Sequence, residues 1–172
     1  MIKRRIILAA GAAGLAAGAF WWPRRWRYIV VHHSGGASGD LALLKEVHRQ
    51  RQAQDPVDMV AYHFVIGNGR GMEMGEIAET ERWQKSFWGA HVAQIDRNLR
   101  GIGICLIGNF ETAEVPEAQY HALVGLVRRL KAKHRIGDER VTLHGKTPGE
   151  ETLCPGRHFP RERFFADITR RA

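Results

Sequence analysis

Two apolar runs limit the folds open to this chain. Ile29-Val30-Val31 lies in a strand expected from Arg27 to His33, and Gly101-Ile102-Gly103-Ile104-Cys105-Leu106-Ile107 in one expected from Arg100 to Ile107. Both are continuous rather than alternating, which marks central strands covered on both faces. Helices must supply that cover. Asp40 or Ser38 can cap a helix to about Gln54, with Leu41, Leu44 and Val47 on one face. Pro116 suits the first turn of a second helix, to about His134, with Tyr120, Leu123, Val124, Val127 and Leu130 at helical spacing. Pro160 opens a third, to about Arg170. Val141-Thr142-Leu143 makes a short strand, and Val60–Ile66 with Gly71–Ile77 should form a hairpin around Gly67-Asn68-Gly69. The expected fold class is α/β: one domain with a central mixed β-sheet flanked by helices.

The chain of 172 residues has room for one domain and a tail. The tail is N-terminal. Lys3-Arg4-Arg5 precedes an uncharged, Ala- and Gly-rich stretch from Ile6 to Trp22, then Pro23-Arg24-Arg25. A basic start and an apolar middle form an export signal, with Ala17-Gly18-Ala19 offering cleavage after Ala19. The same stretch also suits an uncleaved anchor at the short end of membrane-spanning length, with Trp21, Trp22 and Trp26 at the interface. Arg4-Arg5 weakly resembles a twin-arginine signal. The expected division is 1–26, signal peptide or membrane anchor, and 27–172, the folded domain, placed outside the cytoplasm. Of the net charge of +8, five positives sit in the first 25 residues, leaving a mildly basic domain and little argument for nucleic acid. The two cysteines could pair, but Cys105 lies within the second apolar run, where a cysteine acts as a small hydrophobe.

Three segments carry candidate metal chemistry. His32-His33 end the first strand before Ser34-Gly35-Gly36, at the carboxyl edge where open α/β sheets collect ligands. His144 ends the Val141-Thr142-Leu143 strand, and Cys154 precedes Pro155-Gly156 in a loop. Two imidazoles and a thiolate are good zinc ligands, and three protein ligands leave a fourth corner open for catalysis. Neighbours in a strand point to opposite faces, so only one of His32 and His33 can face a given ion. Periodicity does not choose between them. Tyr62 can bring a phenol to the same cleft. His63 and Phe64 read as packing, and His48, His121 and His134 as solvated helix positions. Trp83 and Trp88 either stack on sugar or cover the core.

Five pieces stand in order: Val30-Val31-His32-His33-Ser34, Ala61-Tyr62-His63-Phe64-Val65-Ile66, Gly89-Ala90-His91, Asn98 with the Gly101–Gly108 run, and Cys154-Pro155-Gly156. Together they resemble the zinc-dependent N-acetylmuramoyl-L-alanine amidases, the family of the small phage lysozyme-type amidases and the peptidoglycan recognition proteins. The resemblance spans roughly Tyr28 to Phe159. It implies His32, His144 and Cys154 as Zn2+ ligands, with His33 a neighbour. It also implies Tyr62 and Thr152 as catalytic groups, and His91 and Asn98 along the muropeptide groove.

The activity so implied is hydrolysis of the amide between N-acetylmuramic acid and L-alanine in peptidoglycan, with water activated by zinc. The alternative is a wall-binding module of the same fold that does not cut. The expected partner is peptidoglycan, with the membrane as a second partner if the N-terminal segment is retained. The expected location is the periplasm or cell envelope, with an inner-membrane anchor in that case. Two departures stand out. Leu143-His144-Gly145-Lys146 replaces the family's Gly-His-Arg-Asp, and the segment from His144 to Cys154 is longer than the family's usual spacing. No acid in the matching segments claims the role of general acid.

Overall fold

The computed structural model describes residues 25–53, 55 and 57–170. The expected signal or anchor segment, 1–26, lies almost wholly outside them. Among the described residues no helix is long and apolar enough to cross a membrane.

The five strands are β1 (Tyr28–His33), β2 (Phe64–Ile66), β3 (Ile77–Glu79), β4 (Gly101–Leu106) and β5 (Val141–Leu143). They form one sheet in the order β3-β2-β4-β1-β5. β1 runs parallel to both β4 and β5, and β2 parallel to β4, while β3 is antiparallel to β2. The two continuous apolar runs are thus neighbours at the centre. The α-helices are α1 (Leu41–Arg51), α2 (Glu81–Gln84), α3 (Ile95–Arg100), α4 (Glu117–His134) and α5 (Arg161–Thr169). Asp40 caps α1 by accepting the Leu43 N–H at 2.8 Å, a contact of the kind that contributes about 1 kcal/mol.

Period-2 alternation sorts the central strands onto two faces. Ile29, Val31, Phe64, Ile66, Ile102, Ile104 and Leu106 belong to the larger core, beneath Leu123 and Val127 of α4 and Phe164 of α5. Each such fully buried side chain stabilises the fold by about 1.5–3 kcal/mol. On the other face Val65, Cys105 and Ile107 pack with Leu44 of α1, Val60 and Met72. In the sheet register His32 lies beside Cys105, on this thinner face. Both cysteines are free.

The hairpin differs from the sequence expectation. Its strands are shorter, and the connection runs from residue 67 to 76. Gly67 N–H donates to Glu76 O at 2.9 Å and Gly69 N–H to Met72 O at 2.9 Å. Gly71, at φ +99°, passes so close to Gly39 that a Cβ there would sit 2.4 Å from the Gly39 carbonyl oxygen. A tertiary contact with the loop before α1 therefore overrides the local Asn-Gly signal.

Upstream, the Val60 carbonyl is taken by a side chain instead of by a strand. Arg82 of α2 is completely buried, and its Nε donates to Val60 O at 2.6 Å and its Nη1 to Trp88 O at 2.6 Å. Its Nη2 pairs with Asp55, which also holds His48 Nε2 at 2.8 Å. His48, read from sequence as solvated, is buried because the last turn of α1 faces this ion pair. Trp83 packs against the larger core.

Candidate metal centre and active site

The end of β1 splits its two histidines as strand geometry requires. His33 turns its ring to the far side, where Nδ1 accepts the Phe110 N–H at 3.2 Å. His32, only 1% exposed, points into the thinner face. The end of β5 delivers His144 beside it, with ring centroids 4.5 Å apart. Gly145 N–H donates to Cys154 O at 2.7 Å, folding the loop back so that Cys154 reaches the same place. The His33 backbone N–H donates to Cys154 Sγ at 3.3 Å. One nitrogen each from His32 and His144 and the Cys154 sulfur all lie within 4.8 Å of one another, and among the described residues this is the group that could hold a metal.

The donor set fits a divalent ion of zinc's preferences. Burial first, then the neighbouring His91, His144 and His33, hold His32 well below the usual histidine range, in the neutral form that coordinates. Burial pushes the Cys154 thiol up to about 12, although the His33 N–H opposes it. A bound cation beside that sulfur would make it a thiolate at neutral pH.

Tyr62 packs its ring 5.1 Å from that of His32. Burial first, then the Cys105 and Cys154 sulfurs, raise its phenol well above the ordinary value, with Arg51 opposing. It is a neutral O–H donor. Thr152 Oγ1 accepts the Cys154 N–H at 3.2 Å, which leaves its own hydroxyl proton free to donate. Tyr62, Thr152, His144 and Cys154 line one cleft of about 380 Å³. Arg51 lines this cleft and also a neighbouring one of about 740 Å³ with Trp88, Asn98, Ile95 and Leu99.

His91 and Asn98, expected along the substrate groove, stand differently. His91 is 5% exposed, and its Nδ1 shares a hydrogen bond of 3.1 Å with His32 Nε2. Its ring lies where a Cβ on Gly103 would come within 2.4 Å of it, so β4 needs a glycine there. Asn98 lines the larger cleft, while its Oδ1 accepts from His91 N and Val92 N at 3.0 and 3.2 Å and its Nδ2 donates to Val92 O at 2.7 Å. His63 is buried too, accepting Gly103 N–H on Nδ1 at 3.0 Å, with Nε2 at 3.0 Å from Phe87 O.

Motif reading passed over Glu150. Its Oε2 lies 3.1 Å from His144 Nε2 and its Oε1 accepts Ala93 N–H at 2.5 Å. The available signal was a pair of acids, Glu150-Glu151, inside the segment between His144 and Cys154.

Comparison with known proteins gives the family. The family model described as N-acetylmuramoyl-L-alanine amidase (Amidase_2) matches residues 22–157. Peptidoglycan-recognition protein SC2 of Drosophila simulans is 27% identical over 134 residues, 75% of this chain and 67% of that one. The protein of the same name from Drosophila melanogaster is 28% identical over 134 residues, with the same shares of 75% and 67%. Among solved structures, N-acetylmuramoyl-L-alanine amidase LysC from Clostridium intestinale URNW superposes with a TM-score of 0.71 at 27% identity, over 87% of this chain and 89% of that one. Drosophila PGRP-LB shares the fold at a TM-score of 0.57 and 23% identity, over 84% and 79%. With the family model spanning most of the folded chain and a solved amidase superposing over most of both molecules, this chain belongs to the N-acetylmuramoyl-L-alanine amidase family.

Proposed function

We propose that the protein is an exported, zinc-dependent hydrolase that cleaves the amide between N-acetylmuramic acid and L-alanine in peptidoglycan. The observation that carries this reading is the meeting of His32, His144 and Cys154 at one sheet edge, beside a cleft that also presents Tyr62 and Thr152. His32, His144 and Cys154 would hold the ion. When bound, it supplies Lewis-acid chemistry, acidifying water from about 15.7 toward 7 and polarising a carbonyl.

The remaining work falls to the chain. The Tyr62 hydroxyl donates toward the amide oxygen, where negative charge develops as the carbonyl becomes tetrahedral. A donor so placed can be worth about 3 kcal/mol in the transition state. Thr152 offers a second hydroxyl in the same cleft, its oxygen held by the Cys154 N–H. Arg51, shared by both clefts, can guide an acidic peptide stem from one into the other. Export is supported by the basic and apolar N-terminus and by the location of the substrate.

The test joins metal analysis of the purified protein to product masses on isolated wall. Stoichiometric zinc and the appearance of free L-alanine amino termini are expected. A metal-free preparation that digests muropeptides normally would refute the reading. Tight binding of wall with no new termini would favour the non-cutting module instead.

A further inference from the structure

We propose that Glu150 is a positioning residue of the metal centre, a single carboxylate that commits His144 to coordination through Nδ1 and ties its segment to the one bearing His91, the partner of His32. The inference rests on the metal-centre reading above.

Glu150 is delivered by a turn within the segment between His144 and Cys154. Thr147 N–H donates to His144 O at 2.8 Å, Glu150 N–H donates to Thr147 O at 3.2 Å, and Gly149 takes φ +82°. The Glu150 side chain is 13% exposed and that of His144 20%, so the contact is largely shielded from water. Each carboxylate oxygen has its own partner, His144 Nε2 at 3.1 Å and Ala93 N–H at 2.5 Å. An ionised carboxylate only accepts, so the proton of a neutral His144 ring sits on Nε2 and the lone pair on Nδ1.

The second contact is to the segment that bears His91, the partner of His32. Ala93 follows His91 by two positions, and His91 Nδ1 holds His32 Nε2 at 3.1 Å. Asn98 fixes the same stretch through His91 N and Val92 N. One carboxylate therefore ties the segment bearing His144 to the segment bearing the partner of His32. Groups that orient metal-ligating histidines in this way typically change metal affinity by about 10–100-fold when removed.

The experiment uses the full chain, with zinc alone as the probe. Zinc affinity is measured by competition with a chelator for wild type, Glu150→Ala and Glu150→Gln. The protonated nitrogen of His144 is read by nitrogen NMR in the metal-free wild type and variants. Glu150→Ala should bind zinc about 10–100-fold more weakly. Glu150→Gln, which retains one accepting oxygen, should fall between it and wild type. His144 should carry its proton on Nε2 in wild type and lose that preference in Glu150→Ala. A wild-type proton on Nδ1, or equal affinity in all three proteins, overturns the proposal. The tautomer of the wild type decides the matter even if Glu150→Ala does not fold. Zinc binding intact in every protein sinks only the role of Glu150, whereas a wild type that binds no zinc sinks the metal-centre reading itself.

Discussion

Replacing Asp55 by Asn tests the polar cluster that supports the approach to Tyr62. The change keeps the shape but removes the charge facing Arg82, whose side chain is 0% exposed, from a position itself only 7% exposed. Breaking one side of a buried ion pair typically costs about 3–5 kcal/mol, because the other charge stays behind in a poor solvent. The Val60 and Trp88 carbonyls still hold the guanidinium at 2.6 Å each, which argues for the low end, about 3 kcal/mol. For a domain of this size each kcal/mol moves the melting temperature by about 2–4 °C, so the drop should be roughly 6–12 °C. Calorimetry of the wild type, Asp55→Asn and the control Asp58→Asn gives the answer. Asp58 pairs with Lys45 and Arg49 at the surface, its side chain 63% exposed, where solvent screens the charges and its loss should leave the melting temperature nearly unchanged. Burial alone would raise the pKa of Asp55, but His48, the Val57 N–H and Arg82 together leave it lowered. Its contribution is therefore present above about pH 4 and is lost as pH falls below the unfolded value, and Asp55→Asn should remove that part of the acid limb. If Asp55→Asn melts within about 2 °C of Asp58→Asn, the cluster is not structural and the reasoning fails.

Four further outcomes are expected. Cys154→Ala or His32→Ala should release zinc and abolish amide cleavage, checked by metal content and product mass; retained metal would contradict the ligand set. Tyr62→Phe should keep zinc while kcat falls by about 10²–10³, and an unchanged kcat would remove the phenol from the mechanism. Gly103→Ala should cost about 1–3 kcal/mol by forcing a methyl group into the His91 ring, read from denaturant melts. Burial lowers His63 to about 3, so the unfolded chain takes up protons first as the medium is acidified from pH 6.5. Stability should then fall with pH below 6.5, by about 2 kcal/mol from His63 alone at pH 5. A flat melting temperature between pH 7 and pH 5 would contradict it.

The central sheet and its covering helices were legible because continuous apolar runs, Asp40 as a cap and the helical spacing from Tyr120 to Leu130 are local signals, read within a few turns of chain. That the candidate metal donors would meet was legible for a similar reason: His32 and His144 each end an apolar strand, and parallel strands end at a common edge. Which member of the His32-His33 pair faces inward was not legible from alternation, which fixes only that the two differ; the family resemblance alone pointed to His32. That choice follows from which sheet face α4 and α5 cover. The Asp55–Arg82–His48 cluster and the contact from Glu150 to Ala93 were invisible for a further reason. Arg82 lies 27 positions from Asp55 and Ala93 lies 57 from Glu150, and a charge takes a buried partner only when the fold has already removed both from water. Sequence alone thus determined the strands, the helices and the chemical types that meet at the sheet edge. The tertiary structure decided which ring faces the candidate metal site and which carboxylate lies against His144, because orientation and burial are properties of packed neighbours and not of the chain read in order.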